Sequence, residues 1–390
     1  FFRIWISMAD INSRKSIISI IYLGIIGPCV FILQPGFIQG LVAYLGFDER
    51  QAGLIASYEM FGIATTTILM SFISNRIDWQ KVLFICLFVC AVGNMFSIGQ
   101  TDFMLLSINR FVIGLGSGGL LSLSFTMAGL TTNPDRNFGL IVVWVLIYGA
   151  FGMLLMPTAY ELFGMNSLYV FLALFCASGL LIVKHLPHSG DIVELPKQLL
   201  EYSNKIKISS LSGVLIYNIA IGIVWAYLFL VGLEAGMGEQ AVANAITLSQ
   251  FFGIGGALVP VFLQARVGRI LPLGIGILGG AGFIFLIVGD IDSLMFWVGV
   301  CGFNLLWNLT VPFLFAVLAD YDTRGRIVTY GVSMQFLGLA LGPFIAALLL
   351  EIGGFDLVNI SGLVLFVCAA LLMLPGTLNQ RHSKLQASES

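Results

Sequence analysis

Long apolar runs separated by short polar segments make up nearly the whole chain. A helix needs about 20 apolar residues to cross the roughly 30 Å hydrocarbon core of a bilayer, and twelve runs are of that scale. We predict membrane-spanning helices over residues 16–45, 51–74, 82–99, 103–130, 138–159, 165–184, 208–233, 241–263, 270–288, 293–319, 327–350 and 356–375. Because the runs are continuous, without the alternation of a membrane β-barrel, they predict an all-α integral membrane protein.

One long polar stretch divides these runs into two sets of six. It covers residues 185–207 and contains two prolines and three lysines, which is typical of an interdomain linker. We therefore expect two pseudo-symmetric six-helix bundles, at 16–184 and 208–375. Tails at 1–15 and 376–390 flank them.

Basic residues sort to one side of this topology. Of the 18 Lys and Arg residues, sixteen fall in the tails, the linker and the loops on the side of both termini, and only Arg50 and Arg110 do not. Short loops rich in Lys and Arg stay in the cytoplasm. We therefore expect a protein of the bacterial inner membrane with both termini in the cytoplasm.

Composition excludes several classes of protein. Charged residues make up only 10% of the chain and hydrophobic ones 58%, against about 25% charged in a soluble domain, so most of the surface faces lipid. The net charge of −2 offers no basic face for nucleic acid. The six cysteines lie in apolar runs without a CxxC pair, and the three histidines lie in predicted cytoplasmic segments. We therefore expect no metal site, no cofactor and no enzymatic activity.

Two motifs resemble the major facilitator superfamily of secondary transporters. The fourth span contains the family's Arg-x-x-x-Gly-x-Gly pattern, intact from Arg110 to Gly116. The loop after the second span keeps Arg76 of the family's signature but has Asn75 in place of its aspartate, and the corresponding loop of the second half spans 266–269. The resemblance implies a substrate held between the halves near mid-membrane and exposed to each side in turn.

Two ionisable residues lie deep within the predicted helices. Glu59 is nine residues beyond Arg50, and Arg110 is eight beyond Asp102. At about 1.5 Å per residue along a helix, both lie roughly 12–14 Å into the membrane, measured from the loop residues Arg50 and Asp102. Burying such groups costs at least about 2.5–3.5 kcal/mol unless they pair or face water, so we predict that Glu59 and Arg110 pair.

This predicted pair has two interpretations. In the first it is a proton switch, because a substrate anion that drew Arg110 away would favour protonation of Glu59. In the second it is a static ion pair that fixes helix packing.

The second half contributes amides and aromatic rings instead of deep charges. Asn304 and Asn308 share a helix face with Trp307 beside it, and a buried amide either lines a cavity or bridges helices. Together with Arg110, the candidate substrate contacts are Gln34, Trp144, Tyr148, Asn218, Trp225, Gln250, Asn304, Trp307, Asn308 and Gln335. Gln34 precedes Pro35, which would kink the first span and free a carbonyl.

Polar loop residues on the side of the termini form a candidate cytoplasmic gate that latches the halves together. They are Asn75, Arg76, Arg266, Arg269, Asp320 and Arg324. The alternative is that the arginines serve only the positive-inside orientation.

We therefore expect a secondary transporter that moves a small organic solute, anionic or aromatic, in symport with protons. The Gly-Pro signature of the family's drug/proton antiporters is absent from the fifth span, but a proton-driven exporter of hydrophobic compounds stays an alternative. The expected partners are the solute, protons and membrane lipid, and we expect a monomer. An intramembrane enzyme would need clustered catalytic groups, and a channel would need a charged or carbonyl-lined ring.

Overall fold

Helices account for all the regular structure in the described part of the chain. The computed structural model describes residues 10–189, 202–263, 269–321 and 326–389. In these ranges the α-helices are α1 Arg14–Ile26, α2 Cys29–Ile32, α3 Gln34–Leu45, α4 Glu49–Ile73, α5 Trp79–Phe96, α6 Phe103–Gly129, α7 Pro134–Phe163, α8 Asn166–Gly179, α9 Asn204–Glu234, α10 Glu239–Leu263, α11 Ile270–Phe285, α12 Ser293–Ala319 and α13 Arg326–Glu389. The prediction of an all-helical chain is confirmed.

Each predicted span falls on helix. Nine helices in the described ranges are long and apolar enough to cross a membrane, and one of them, Ile327–Leu378, covers two predicted spans. The ninth predicted span is the shorter apolar helix Ile270–Phe285, and the first is divided among α1, α2 and α3. Residues 1–9 of the predicted tail and 190–201 of the predicted linker lie outside the described residues.

Aspartates fix the starts of several helices. The side chains of Asp48, Asp102 and Asp292 each accept, at 2.7 Å, the backbone N–H of the third residue after them. At Asp48 the side chain of Gln51 accepts the aspartate's own N–H at 3.3 Å, which completes a capping box. Such caps satisfy donors that the first helical turn leaves unpaired and contribute about 1 kcal/mol each.

Proline and glycine explain two breaks in the helices. Pro35 has no N–H for the Phe31 carbonyl four residues earlier, and the helix is interrupted at Leu33, between α2 and α3. In α13, Gly353 and Gly354 leave the helical conformation. Gly354 has a φ of 62°, which glycine adopts without steric cost. This kink lies at the predicted boundary between the last two spans.

The helices of each half pack mainly on one another. In the first half α6 packs on α4 and α5, and in the second α9 packs on α13 and α10 on α12. The halves meet where α4 contacts α13 and where α7 contacts α10. The α4–α6 crossing is close because Gly114 has no side chain, and a Cβ there would clash with the Glu59 carbonyl oxygen. This crossing therefore positions the helices that carry Glu59 and Arg110.

The helical array has two ends. At one end Asp78 Oδ1 lies 3.1 Å from His188 Nδ1, close to where the predicted linker begins. We call this end the linker end. At the other, Arg50 of α4 meets Glu351 of α13, and we call it the distal end.

Candidate functional site

The predicted contact between Glu59 and Arg110 is present in the structure. Arg110 Nη1 lies 3.5 Å from Glu59 Oε2, and the arginine and glutamate side chains are 0% and 2% exposed. Because burial removes both groups from water, the charges depend on the protein groups around them.

Arg110 is held by several groups besides Glu59. Its Nη2 donates to Asn94 Oδ1 at 2.9 Å and also to Ser97 Oγ, at the end of α5. Its guanidinium lies over the ring of Tyr169 in α8, 5.1 Å from the ring centroid, a favourable cation–π arrangement. The arginine therefore keeps partners if Glu59 moves or becomes protonated.

The Glu59 carboxylate has far fewer partners. Neither of its oxygens has a hydrogen-bond partner among the described residues, and its described ion pair is the 3.5 Å contact with Arg110. Buried charged groups are ordinarily paired and hydrogen-bonded. Glu59 is thus the more weakly held member of the pair.

The pair is surrounded by side chains of the first half. The groups described around Arg110 all belong to helices of the first half, and its side chain has no exposed surface. In the described conformation these neighbours enclose Arg110, and its predicted contact with a substrate between the halves stays a prediction.

Aromatic side chains from both halves meet between them. The indole N–H of Trp225 in α9 donates to the Phe31 carbonyl oxygen in α2 at 3.0 Å. This is the carbonyl that Pro35 leaves without a helical donor, as the sequence predicts. The Trp307 ring of α12 lies 5.6 Å from that of Trp225 and 6.0 Å from that of Phe31, measured between centroids. Two of the predicted contact residues thus lie together at the interface.

Three of the predicted amides also come together. Asn304 in α12 donates to Gln250 Oε1 in α10 at 3.4 Å, and Asn308 donates to Asn304 Oδ1 at 2.7 Å. Gln250 and Asn304 are fully buried. The helical spacing indicated a shared face for the two asparagines, and the structure brings Gln250 to it.

Three other predicted contact residues lie apart from this amide group. Gln34 is buried at the start of α3, with its Oε1 unpaired among the described residues. Asn218 donates at 2.7 Å to the Val214 carbonyl one turn earlier in its own helix. Gln335 is half-buried in α13. No hydrogen bond among the described residues joins them to Gln250.

Two predicted aromatic contacts lie in α7, and their role in substrate binding stays a prediction. Trp144 is 49% exposed and shares an apolar exposed stripe with Phe151 and Leu155. Residues 7 and 11 apart share one face of a helix, and in a membrane such a face meets lipid. Tyr148 stacks on Phe175 of α8 in the first half, 5.5 Å between centroids.

The candidate cytoplasmic gate shows no contact between the halves among pairs of described residues. Arg269 pairs with Asp320 of its own half at 2.6 Å, and Arg76 is exposed in the turn after α4. The latch stays a prediction. Outside the described part of the chain lie Arg266, Arg324 and the side chain of Asn75.

Asp78 connects two loops at the linker end. Its side chain accepts the Lys81 backbone N–H at 3.2 Å, capping α5, and lies 3.1 Å from His188 Nδ1. Partial burial alone would raise the pKa of Asp78, but the contacts with Lys81 and His188 together outweigh it. The pKa of this carboxyl therefore lies below its usual value of 3.8.

Sequence reasoning missed the contacts that join the two halves at the distal end. Arg50 Nη1 lies 2.6 Å from Glu351 Oε1 across the two halves, and Gln39 donates to Glu239 at 3.1 Å. The hydrogen bonds and ion pairs that join described residues of the two halves all lie between the middle of the helices and this end. The sequence feature that could have indicated such a contact was Arg50, because it is the one arginine in a loop on the acidic side of the predicted topology.

A cavity of about 510 Å³ lies away from these residues, at the distal end of the second half. Its lining includes Glu234, Asp290, Asp356 and Asn359, and none of the predicted site residues. Among the described residues, His, Cys, Asp and Glu form no cluster that could hold a metal ion.

Comparison with known proteins assigns the family. The sequence model of the Major Facilitator Superfamily matches residues 20–338, most of the chain. The chain belongs to the Major Facilitator Superfamily. A protein of Bacillus subtilis (strain 168) named as a niacin/nicotinamide transporter, NiaP, is 25% identical over 376 residues, and the match covers 87% of this chain and 90% of the relative.

Solved transporter structures share the fold. The nucleoside transporter NupG matches with a TM-score of 0.72 at 14% identity, covering 92% of this chain and 98% of that one. The human organic anion transporter MFSD10 matches with a TM-score of 0.66 at 15% identity, covering 93% and 100%. Members of the superfamily are transporters, so this chain is a multi-pass membrane transporter and not an enzyme.

Proposed function

We propose that this chain takes up a small aromatic solute across the bacterial inner membrane in symport with protons. The observation that carries the proposal is the buried Glu59 carboxylate, which lies 3.5 Å from Arg110 and has no hydrogen bond among the described residues. The solute class is supported by the relative named as a niacin/nicotinamide transporter and by the rings of Trp225 and Trp307 at the interface.

In this proposal the twelve predicted spans form two six-helix bundles of a monomer, with both termini in the cytoplasm. Helix packing supports the division, because α6 packs on both α4 and α5, while α9 packs on α13 and α12 packs on α10 and α11. The substrate site then lies between the bundles, and rocking exposes it to either side.

We base proton coupling on the unequal number of protein groups that hold the Glu59 carboxylate and the Arg110 guanidinium. A proton on Glu59 removes the charge that attracts Arg110, while Asn94 and Ser97 still hold the guanidinium. The ion pair then no longer holds α4 to α6, and loss of the proton restores the attraction. A static ion pair, the alternative, predicts the same contact but no dependence of transport on protonation.

Helix α4 connects this change to the interface between the halves. Ser57, two residues before Glu59, donates to the Ala340 carbonyl of α13 at 2.8 Å. Arg50, at the start of the same helix, pairs with Glu351. Protonation of Glu59 therefore acts on a helix that helps hold the distal end closed, so it biases the equilibrium between two conformations.

Two gates complete the cycle. The contact between Arg50 and Glu351 joins the halves at the distal end, and in this proposal it closes that end. In the opposite conformation the predicted cytoplasmic gate residues, Arg76 and Arg269 among them, close the linker end.

Uptake by proteoliposomes tests the proposal. Purified protein is reconstituted and given radiolabelled nicotinamide or nicotinate, with an imposed gradient that is acidic outside, in the presence or absence of a protonophore. We expect accumulation that requires both the protein and the gradient. Gradient-driven extrusion would identify an exporter, and uptake insensitive to the protonophore would contradict proton coupling.

A further inference from the structure

The buried amides of the second half form a hydrogen-bonded chain with a fixed direction. Asn308 Nδ2 donates to the Asn304 backbone carbonyl at 3.0 Å, and a carbonyl only accepts, so the Asn308 amide has one orientation. The same Nδ2 donates to Asn304 Oδ1 at 2.7 Å, which turns Asn304 Nδ2 toward Gln250 Oε1 at 3.4 Å. The chain therefore ends on Gln250 Nε2, which is a donor.

This terminal donor is buried and has no partner. Gln250 has 0% exposure, and its Nε2 makes no hydrogen bond among the described residues. A buried donor without an acceptor is costly to the fold. Nε2 faces the first half, because a Cβ added to Gly149 of α7 would lie 3.1 Å from it and 3.0 Å from Ile32 Cγ1. The unsatisfied N–H thus lies where the two halves touch.

Aromatic rings lie at the same interface between the halves, on the helices that carry Ile32 and the two asparagines. Phe31 precedes Ile32 in the chain, and its ring lies 6.0 Å from that of Trp307. None of the contacts described for Phe31, Trp307 or Gln250 involves an ionisable side chain. Arg110, the buried cation, is enclosed within the first half. The patch therefore offers rings and a hydrogen-bond donor but no positive charge.

We propose that Gln250 Nε2 donates to the carbonyl oxygen of an uncharged aromatic carboxamide whose ring packs against Phe31 and Trp307. This inference rests on the proposed function and narrows its substrate class to the amide over the corresponding acid. A carboxylate would accept the same N–H but would place an unpaired charge in a buried patch. Because the halves close directly on this patch in the described conformation, the solute enters as they separate.

Binding to the unaltered full-length protein gives the first test. Detergent-purified protein is titrated by calorimetry at pH 7 with nicotinamide, with nicotinate, which is charged, and with 3-methylpyridine, which keeps the ring but lacks the carbonyl. We expect nicotinamide to bind at least about tenfold more tightly than either of the others. Nicotinate binding as tightly as nicotinamide would overturn the inference.

A pair of variants gives the second test. Gln250→Leu removes the donor and should weaken nicotinamide binding by about tenfold while leaving 3-methylpyridine unaffected. Gln100→Leu, in a loop at the distal end, is the matched control and should bind like the wild type. Unchanged nicotinamide affinity in Gln250→Leu overturns the inference. If that variant does not fold, the ligand series on the wild type decides the question by itself.

Failure of this inference can be told from failure of the proposed function. If none of the three pyridines binds but another solute accumulates in proteoliposomes under a proton gradient, the carboxamide assignment is wrong and proton-coupled transport stands. If no solute in a metabolite screen accumulates under the gradient, the proposed function fails as well.

Discussion

Gly114→Ala tests whether the α4–α6 crossing sets the Glu59–Arg110 contact. A Cβ at this position would lie 2.9 Å from the Glu59 carbonyl carbon and 3.0 Å from the Gly62 Cα, closer than the 3.4 Å at which ordinary contacts begin. These neighbours and the still closer Glu59 carbonyl oxygen are backbone atoms that cannot swing aside, so the helices must separate. Overpacking of this kind costs about 1–3 kcal/mol, and the separation stretches the 3.5 Å ion pair.

Gly139→Ala in α7 is the matched control, because nothing lies within 4 Å of its Cβ position. Alanine favours either helix by about 1 kcal/mol over glycine, so the difference between the variants isolates the packing effect. In denaturant or thermal unfolding, we expect Gly114→Ala to be less stable than Gly139→Ala by about 1–3 kcal/mol. In proteoliposomes it should lose gradient-driven accumulation more than solute exchange. Equal stability and equal accumulation in the two variants would show that the α4–α6 crossing does not set the contact.

Three further predictions concern contacts outside this pair. Arg50→Glu should lower the ratio of molecules closed at the distal end to molecules open there by up to about fivefold, since an exposed ion pair contributes up to about 1 kcal/mol. Adding Glu351→Arg should restore the ratio. Unchanged spin-label distances between the halves would contradict this. Asp78→Asn should lower the melting temperature at pH 7. Because folding lowers the pKa of Asp78, the difference in melting temperature from the wild type should vanish as the pH falls through the pKa of the folded protein. A difference that persists at that low pH would argue against a stabilising role for the Asp78 charge. Trp225→Phe removes the indole N–H that donates to the Phe31 carbonyl and should lower the free energy of unfolding by about 1–3 kcal/mol. Unchanged stability would show that this hydrogen bond contributes little.

Local chemistry explains what the sequence could predict. Continuous apolar runs indicate helices, and Pro35 cannot donate to the carbonyl of Phe31, so the first break follows from one residue. The contact between Glu59 and Arg110 was predictable because these charges lie alone at matching depth among apolar residues. Asn304 and Asn308 share a face through helical spacing alone.

Helix rotation and long-range pairing explain what the sequence could not predict. Trp144 lies on an exposed apolar stripe, and the orientation of α7 about its axis depends on packing against other helices. Asn94, which holds Arg110, is one of many polar residues in apolar runs, and its role appears only when α5 lies beside α6. The ion pair of Arg50 and Glu351 joins residues 301 positions apart, and no local pattern specifies such a contact.

The position of Arg110 changes the expected chemistry of the substrate. Sequence reasoning placed this cation in the substrate pocket, which favoured an anion as one candidate. In the structure the arginine is enclosed by the first half, and the interface offers the amide of Gln250 and aromatic rings. For this reason we propose an uncharged aromatic solute, which leaves no buried charge unpaired at that surface.

Proton movement in Glu59→Gln tests whether Glu59 carries the coupled proton. Wild-type and variant proteins are reconstituted without a membrane potential, the solute that the wild type accumulates is added outside, and the external pH is recorded. The wild type should make the external medium more alkaline as solute and protons enter together. Glu59→Gln should show no proton uptake while still exchanging labelled for unlabelled solute. Solute-dependent proton uptake in the variant equal to that of the wild type would contradict the account.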